Sequence, residues 1–456
     1  MPRDGGILTE ANGRRNLLLA QDHAVHDWYR FVLSFPAHLV RHYLDRFGVK
    51  STQRVLDPFC GTGTTMVECK KHSVPSVGIE ANPMAYYASR VKTDWKVNPD
   101  ELLDHAGKVA DCATDRLGSN GIEEETFFKI SPRRIPVLRS LAPEQAGLLL
   151  KGSISPLPLH KALVLLEVLA ELREDALWDH ERIALAKVVV ETASNLHFGP
   201  EVGVGEKKPD APVVYVWLKA VRSMADDLRE VGHLARVPSA VHYGDARQIE
   251  TMLKPESVDV VITSPPYPNE KDYTRTTRLE SVLLGLIQTK ADLRSLKKGL
   301  VRSNTRGVYV EDDDDRWVSD HPEIQRIAEQ IEARRIELGK TSGFERLYAR
   351  LTKLYFGGMT RHLDVLRPIL RPGARLAYVV GDQASYLRVL IRTGKILGEI
   401  AESLGYDVVG RDLFRTRLST TTREQLREEV LLLHWRGKAW RRRARRCRMS
   451  NRTRSG

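Results

Sequence analysis

The chain has 456 residues, of which 42% are hydrophobic and 29% are charged, and its formal net charge is +12. These values are typical of a globular protein long enough for one large α/β domain with insertions, or for two domains. The four cysteines lack metal-site or disulfide spacing, no apolar run approaches the roughly 18 residues of a membrane span, and the N-terminus has no apolar signal core, so we expect a cytoplasmic protein with no metal and no membrane partner.

Short apolar segments that end in Asp, Glu, Gly or Ser recur along the chain. In order they read RVLDPF, SVGIEAN, VHYGDA, DVVITSPP and RLAYVVGD. Near-continuous apolar strands separated by helical patterns predict an α/β fold with a mostly parallel sheet covered on both faces, whose functional residues gather at the carboxyl ends of the strands. The last two strands, in YDVVGRDLF and EVLLLHW, are predicted to finish the sheet as an antiparallel edge.

The first strand runs into a glycine turn, VLDPFCGTGTT, that opens a helix. Gly61 and Gly63 permit positive φ and close approach of a ligand to the backbone, while the helix N-terminus favours an anionic group. Met66 stands three positions after Gly63 and the loop has no Lys, so it is neither the dinucleotide fingerprint nor a phosphate-binding loop. The pattern still indicates a nucleotide-type site.

Two carboxylates follow at strand ends. Glu80, seventeen residues after Gly63, can accept both hydroxyls of a ribose. Asp245, in HYGDA, ends the third strand and can hold an adenine amino group. Either residue alone is also explained as a simple helix cap. Together, in this order, they favour a cofactor with a ribose, an adenine and a charged amino-acid end.

The first of two predicted insertions lies between these carboxylates. Residues 98–240 carry helical patterns, notably LHKALVLLEVLAEL and ERIALAKVVVETASNLHF. We expect Gly199 and Pro200 to stop the second helix.

The second predicted insertion, residues 285–355, holds an acidic run at 311–315 that we expect to be a solvated loop. A helix should begin at Ser319 or Asp320, just before Pro322. Its apolar face consists of Ile324, Ile327 and Ile331.

Ahead of that insertion, the strand DVVITSPP ends in a rigid corner formed by Ser264, Pro265, Pro266 and Tyr267. Two prolines fix φ near −65° and hold the neighbouring hydrogen-bond acceptors still. Alone, the tetrapeptide could be an ordinary proline turn. With the glycine loop and the two carboxylates upstream, we interpret it as part of a reactive site.

The set DPFCGTGTT, GIEANP, HYGDA and TSPPY resembles the amino-methyltransferase family of site-specific DNA methyltransferases, whose cofactor is S-adenosylmethionine. The resemblance covers residues 22–97 and 240–284, and more loosely 355–436. A tetrapeptide led by Ser is most typical of members that methylate the N4 amine of cytosine, whereas Asp or Asn there is more usual for adenine N6. The resemblance implies a Rossmann-like methyltransferase fold with helical insertions that acts on double-stranded DNA at cytosine N4, with adenine N6 as the close alternative.

The resemblance also divides the chain and assigns cofactor contacts. The methyltransferase domain would comprise residues 1–97 with the cofactor loop, 241–284 with the tetrapeptide, and 356–435, interrupted by the two insertions and followed by a basic tail at 436–456. Cofactor contacts are expected from Phe35, Asp57, Phe59, Gly61, Gly63, Thr64, Thr65, Glu80, Asn82, Asp245 and Ala246. For Phe35 a place in the core is the alternative.

Transfer to an exocyclic amine explains the rigid corner, because the amine lone pair is delocalised into the base. We expect Ser264 Oγ and the Pro265 carbonyl to accept the amine hydrogens in a preorganised geometry. Tyr267 would stack on the target base once it is flipped from the duplex. Transfer would be direct, since the cytosine-C5 mechanism needs a Cys that usually follows Pro, and none of the four cysteines does.

The sequence does not assign the target-recognition segment. In the family's linear order it would follow the third strand, whereas the larger insertion here precedes that strand. Arginines just after the tetrapeptide form a second candidate for phosphate or guanine contacts, and a solvated basic loop is the alternative. These arginines are Arg275, Arg278, Arg302 and Arg306.

The basic tail, residues 436–456, holds ten Lys or Arg and no acidic residue, which leaves about +2 for the rest of the chain. Such a tail attracts nucleic acid by counterion release without reading sequence, although it can also be merely solubilising. A cognate restriction enzyme is a further expected partner. Competing functions are an RNA base-amine methyltransferase, disfavoured by the absence of a recognisable RNA-binding module, and a silent binding module, disfavoured by the intact cofactor motifs.

Overall fold

The structure is a computed structural model. It describes residues 22–30, 35–123, 137–199, 201–269, 271–418 and 425–437. The predicted basic tail, apart from its first two positions, lies outside the described residues. Among the described residues no helix is long and apolar enough to cross a membrane. Within the same ranges no group of three or more His, Cys, Asp or Glu side chains is placed to hold a metal ion.

Within the described ranges, seven strands form one mixed sheet, and two more form a separate hairpin. In chain order the strands are β1 (Val55–Asp57), β2 (Ser76–Glu80), β3 (Leu196–Phe198), β4 (Val202–Val204), β5 (Ser239–Tyr243), β6 (Val258–Thr263), β7 (Leu370–Gly381), β8 (Asp407–Leu418) and β9 (Gln425–Trp435). The sheet order is β5-β2-β1-β6-β7-β9-β8, and β3 pairs only with β4. Neighbours from β5 to β7 are parallel, whereas β9 is antiparallel to both β7 and β8. The predicted α/β fold with an antiparallel edge is confirmed.

Helices cover both faces of this sheet. They are α1 (Ala37–Arg46), α2 (Thr64–Lys71), α3 (Pro83–Lys92), α4 (Pro99–Ser119), α5 (Pro143–Ala146), α6 (Pro156–Glu171), α7 (Trp178–Val188), α8 (Val213–Val231), α9 (Tyr273–Thr276), α10 (Arg278–Leu283), α11 (Lys290–Gly299), α12 (Pro322–Glu337), α13 (Tyr348–Leu366) and α14 (Thr393–Ser403). On β6, Val260 and Ile262 pack in one apolar cluster with α1, while Val261 packs in another with α12, α13 and α14. Alternate side chains of a strand point to opposite faces, so a strand buried on both sides is apolar throughout.

The strand order reverses beside β1. From β1 the chain builds outward through β2 to β5, then returns to place β6 on the other side of β1. Such a reversal leaves a crevice at the carboxyl ends of the two central strands, which is where ligands bind in open α/β sheets.

The first insertion is helical but shares its core with the rest of the protein. Helices α4, α6, α7 and α8 pack with α3 in one apolar cluster that includes the buried side chains of Trp95 and Trp217. The expected stop of the second helix at Gly199 was wrong. That helix ends at Ala193, after a single π-helical turn, because Ser194 turns extended (ψ 159°) and the next residues pair in the β3–β4 hairpin.

The expectation of a solvated loop at 311–315 was also wrong for part of the run. Asp314 is 5% exposed, and its backbone lies directly on α13. A Cβ at Gly357 of α13 would come within 1.9 Å of the Asp314 carbonyl oxygen, so only glycine permits this contact. The helix predicted after the run is confirmed as α12, but the expected start at Ser319 or Asp320 was wrong: α12 begins at Pro322, with His321 as its N-cap. Its three isoleucines are buried.

Candidate active site

A cavity of about 270 Å³ opens at the carboxyl ends of the central strands. The glycine loop, both strand-end carboxylates and the proline corner all contribute to its wall. The predicted residues on the wall are Phe35, Phe59, Gly61, Thr64, Glu80, Asn82, Asp245, Ala246, Ser264, Pro265, Pro266 and Tyr267. The fold therefore brings together motifs that lie up to 232 positions apart, from Phe35 to Tyr267.

The glycine loop adopts the conformation that its sequence requires. Gly61 and Gly63 have φ values of 51° and 85°, in the left-handed region that favours glycine. A Cβ at Gly63 would lie 2.6 Å from Ser89 Oγ of α3. Gly63 thus allows the N-terminus of α2 to approach α3 closely, behind the cavity wall.

Asp57 and Thr65, predicted as cofactor contacts, also lie behind the wall. Asp57 is fully buried and accepts hydrogen bonds from Thr65 Oγ1 at 2.7 Å and from Thr263 Oγ1 at 2.6 Å. Burial raises the pKa of Asp57 to about 6, against the lowering effect of these hydrogen bonds. The carboxylate joins the end of β1 to the end of β6, and so it fixes the spacing between the glycine loop and the proline corner.

Glu80 is held by two backbone N–H groups of the cavity wall. Its Oε2 accepts from the Gly61 N–H at 2.8 Å and its Oε1 from the Asn82 N–H at 2.7 Å. Each carboxylate oxygen has a further lone pair, so both can accept an additional hydroxyl. Burial raises the pKa of Glu80 to about 7, and Asp57 adds to the effect, while hydrogen bonds from the backbone of Asn82, Gly61 and Ala81 oppose it.

Asp245 forms a buried ion pair that the sequence did not indicate. Arg247 binds Asp245 with its Nη2 at 2.7 Å and reaches Asp314 with its Nη1 at 2.5 Å. Asp245 also caps its own short helix by accepting from the Arg247 N–H at 2.9 Å. Arg247 thereby joins the second insertion, through Asp314, to the carboxyl end of β5, through Asp245.

The proline corner presents its hydroxyl as an acceptor. Ser264 Oγ donates to the Val379 carbonyl at 3.4 Å and also lies within hydrogen-bonding reach of the Tyr267 hydroxyl, and a hydroxyl oxygen can accept as well as donate. The Tyr267 hydroxyl donates to Glu428 Oε1 at 3.0 Å, and the Tyr267 N–H donates to Tyr273 Oη at 3.3 Å. Burial, together with the nearby Glu428 charge, raises the pKa of the Tyr267 hydroxyl, so it stays neutral and able to donate.

Several residues at the site were missed from sequence. Glu428 on β9 and Arg415 on β8 contact each other and line the cavity, but neither belongs to a motif. His362 of α13 lies behind the wall, where Nδ1 donates to the Ala246 carbonyl at 3.0 Å and the ring packs edge-on to Phe59 at 4.9 Å. Only Tyr273, six residues after Tyr267, carried a local signal, as a second aromatic beside the corner.

The structure separates the four predicted DNA-contacting arginines into two pairs. Arg302 is 5% exposed and donates to Asp312 from Nε at 2.8 Å and from Nη2 at 2.7 Å. Arg278 donates to Thr274 and to the Leu148 carbonyl. Arg275 and Arg306 instead lie near the β3–β4 hairpin and make only longer ion pairs, at 3.9 Å. A DNA contact from Arg302 would require its pair with Asp312 to open.

The cavity wall fits the cofactor that the resemblance implies. Glu80 offers two anchored acceptors of the kind that a ribose diol needs, and Phe35 and Phe59 supply apolar surface. Gly61, which has a positive φ, carries no side chain, so a ligand can approach the backbone of the loop closely there. These acceptors and apolar surfaces suit S-adenosylmethionine, whose ribose hydroxyls Glu80 would hold. The Asn82 side chain, in contrast, is already used in capping α3 and in a hydrogen bond to Thr277.

Comparison with known proteins points the same way. The N6/N4 methyltransferase family model, described as DNA methylase, matches residues 16–90. The chain is 25% identical over 424 residues to the Type II methyltransferase M.BsoBI of Geobacillus stearothermophilus, a match that covers 85% of this chain and 79% of that protein. It is 22% identical over 454 residues to the Type II methyltransferase M.AvaI of Nostoc sp. (strain PCC 7120), covering 90% and 86%.

Among solved structures, the crystal structure of TrmN from Thermus thermophilus aligns with 88% of this chain at 11% identity and a TM-score of 0.25, and the chain spans about half the length of that protein. No structural correspondence follows at that level. The matched family model, the two curated relatives and the strand-end motifs that meet in one cavity all support the resemblance to DNA amino-methyltransferases.

Proposed function

We propose that this protein is a site-specific DNA methyltransferase that uses S-adenosylmethionine to methylate the exocyclic N4 amine of cytosine in duplex DNA. The observation that carries the proposal is the Ser-led corner, residues 264–267, opening into the same cavity as Glu80 and the glycine loop. Serine at the first position is the feature that favours cytosine N4 over adenine N6.

The side chains of the corner have separate roles in this proposal. Ser264 Oγ, whose hydrogen is used by the Val379 carbonyl, accepts a hydrogen from the target amine. The Pro265 carbonyl accepts the second hydrogen, and the two prolines keep both acceptors in place. Tyr267 stacks on the base after it has been flipped out, because the target amine of a base inside the duplex cannot reach a reactive site within a cavity.

Cofactor binding is assigned to the residues of the cavity wall outside the proline corner. S-adenosylmethionine, when bound, supplies an electrophilic methyl group on a sulfonium. Glu80 holds the ribose hydroxyls, Asp245 the adenine amino group, and Phe35 and Phe59 exclude water from the rings. These contacts orient the cofactor toward the corner, over the carboxyl ends of β1 and β6.

The test is product identification. Purified protein is incubated with S-adenosylmethionine and unmethylated genomic DNA, and the DNA is digested to nucleosides for mass spectrometry. N4-methyldeoxycytidine is the expected product. If the product is N6-methyldeoxyadenosine, the target base is adenine and the amine-methylation chemistry stands. If DNA yields no methylated nucleoside and RNA is methylated instead, the proposed function is overturned.

Adenine N6 is the second candidate, because the matched family model covers both N6 and N4 enzymes. The names of the curated relatives support a place in a restriction–modification system, with a cognate endonuclease as partner. Methylation mapping of a host genome with and without the gene would give the recognition sequence, and digestion of that DNA by neighbouring nucleases would test the partner.

A further inference from the structure

Two arginines converge on a single carboxylate at the tip of the β3–β4 hairpin. The Nη1 atoms of Arg275 and Arg306 each lie 3.9 Å from Glu201 Oε2. The Arg306 guanidinium also lies 5.5 Å from the centre of the Phe344 ring. We call Glu201, Arg275 and Arg306 the hairpin patch.

The guanidinium groups of the hairpin patch are held loosely. The side chains of Arg275, Arg306 and Glu201 are 24%, 41% and 48% exposed. Arg275 Nε has no acceptor among the described residues, and its Nη2 reaches the Val202 carbonyl only at 3.4 Å. A partly exposed ion pair at this distance contributes little to stability, so the carboxylate can be displaced at small cost.

The hairpin patch lies close to the cavity along the chain. Arg275 follows two residues after Tyr273, which lines the cavity. Arg306 follows two residues after Asn304, whose Nδ2 donates to the carbonyl of Lys271, another residue of the cavity wall, at 3.2 Å. Short lengths of backbone thus connect both arginines to the mouth through which a flipped base would enter.

We propose that the hairpin patch binds a backbone phosphate of duplex DNA next to the target nucleotide, and that Glu201 occupies the position of that phosphate when DNA is absent. The inference rests on the proposed function. Guanidinium forks match phosphate oxygens, and two of them directed at one point form an anion site. A phosphate on the duplex can engage both forks, whereas the single Glu201 oxygen stays 3.9 Å from each.

The experiment measures binding of a fluorescent duplex that contains the methylated sequence, by anisotropy over a range of salt concentrations. Arg275→Ala and Arg306→Ala should each weaken binding roughly tenfold at low salt and reduce the slope of log affinity against log salt by about 1. Arg326→Ala is the matched control, because Arg326 is exposed and paired with Glu323 on α12. It should change neither quantity by a comparable amount.

Glu201→Gln tests the second half of the proposal. It should tighten DNA binding several-fold, because it removes the internal competitor for the two arginines. Glu206→Gln removes the same charge five residues further on, at an exposed side chain for which no ion pair occurs within the described ranges, and should have a smaller effect. Equal effects of the two substitutions would overturn the role of Glu201.

Failure of this inference is distinguishable from failure of the proposed function. If the wild-type protein methylates DNA but Arg275→Ala and Arg306→Ala behave like Arg326→Ala, the hairpin patch is not a phosphate site. S-adenosylmethionine affinity, measured by calorimetry, should be unchanged in every variant, and lysine at 275 or 306 should restore part of the salt slope. If an alanine variant loses cofactor affinity, Arg275→Lys or Arg306→Lys takes its place. Weaker DNA binding than the wild type, with most of the salt slope retained, supports the inference, because lysine keeps the charge but lacks the guanidinium fork. An affinity and slope equal to those of Arg326→Ala overturn it.

Discussion

The hydroxyl of Tyr267 donates to Oε1 of Glu428 at 3.0 Å, which joins the proline corner after β6 to the antiparallel strand β9. Arg415 of β8 contacts the other oxygen of that carboxylate. The Tyr267 ring lies against Gly381 at the end of β7, where a Cβ would be 3.0 Å from it. The ring expected to stack on the target base is therefore oriented by the last three strands of the sheet.

Glu428→Ala should slow single-turnover methyl transfer without weakening cofactor binding. A hydrogen bond to a charged acceptor contributes about 1.5 to 3 kcal/mol, so we expect a loss of roughly 10- to 100-fold. Glu428→Gln keeps an acceptor and should lose less. Because the effect acts through the tyrosine hydroxyl, Glu428→Ala combined with Tyr267→Phe should be no worse than either change alone. Additive losses would assign Glu428 a separate role.

Ser264→Ala should leave S-adenosylmethionine affinity intact and lower the transfer rate by about 10² to 10³, the usual effect of removing one preorganised polar contact in a dry site. Labelled cofactor and duplex DNA in single-turnover assays give the rate, and calorimetry gives the affinity. Near wild-type transfer would show that the Ser264 hydroxyl serves only its contact with the Val379 carbonyl.

Tyr267→Ala should impair capture of the flipped base, since stacking on an aromatic side chain contributes on the order of 1 to 3 kcal/mol per base. Tyr267→Trp keeps a stacking surface and should retain more activity than the alanine variant. Fluorescence of 2-aminopurine next to the target base reports the flipped population. If alanine and tryptophan variants flip the base equally well, Tyr267 does not stack on it.

Cofactor affinity should rise with pH through about 7. The pKa of Glu80 is raised to about 7 by burial, so its carboxylate becomes ionised, and a stronger acceptor for the ribose hydroxyls, as the pH increases from 6 to 8. Glu80→Gln should bind more weakly at pH 8 and lose this pH dependence, and Glu80→Ala should weaken binding by roughly 1.5 to 3 kcal/mol. Calorimetric titrations at three pH values test both statements. A flat wild-type profile would mean that Glu80 acts only as a backbone cap.

Asp314→Ala should lower the free energy of unfolding by about 1.5 to 3 kcal/mol, because Arg247 would lose one of its two buried carboxylate partners. Asp313→Ala is the matched control, since that side chain is 56% exposed and its ion pair with Arg316 should contribute at most about 1 kcal/mol. Urea unfolding measures both. Equal stability of the two variants would show that the pair with Asp245 alone satisfies Arg247.

The sequence by itself determined the sheet and the parts of the site that lie at strand ends. Continuous apolar runs can be buried only between two helical layers, which predicted the strands, and the turn residues after β1, β2, β5 and β6 marked the edge where Glu80, Asp245 and Ser264 meet. Glycine's conformational freedom likewise predicted the bend at Gly61 and Gly63, which the structure has. These features depend on neighbours in the chain, so a local pattern is enough to find them.

Only the tertiary structure decided which charged side chains are buried and with whom. Asp314 and Arg302 are charged residues of the kind usually found at solvent-exposed positions. Yet Asp314 is buried against Arg247, and Arg302 is buried against Asp312. Glu428 reaches Tyr267 from 161 residues away, because β9 returns beside β7. Such pairings depend on how strands and helices pack in space, and the energy of a buried charge is set by that packing and not by its neighbours in sequence.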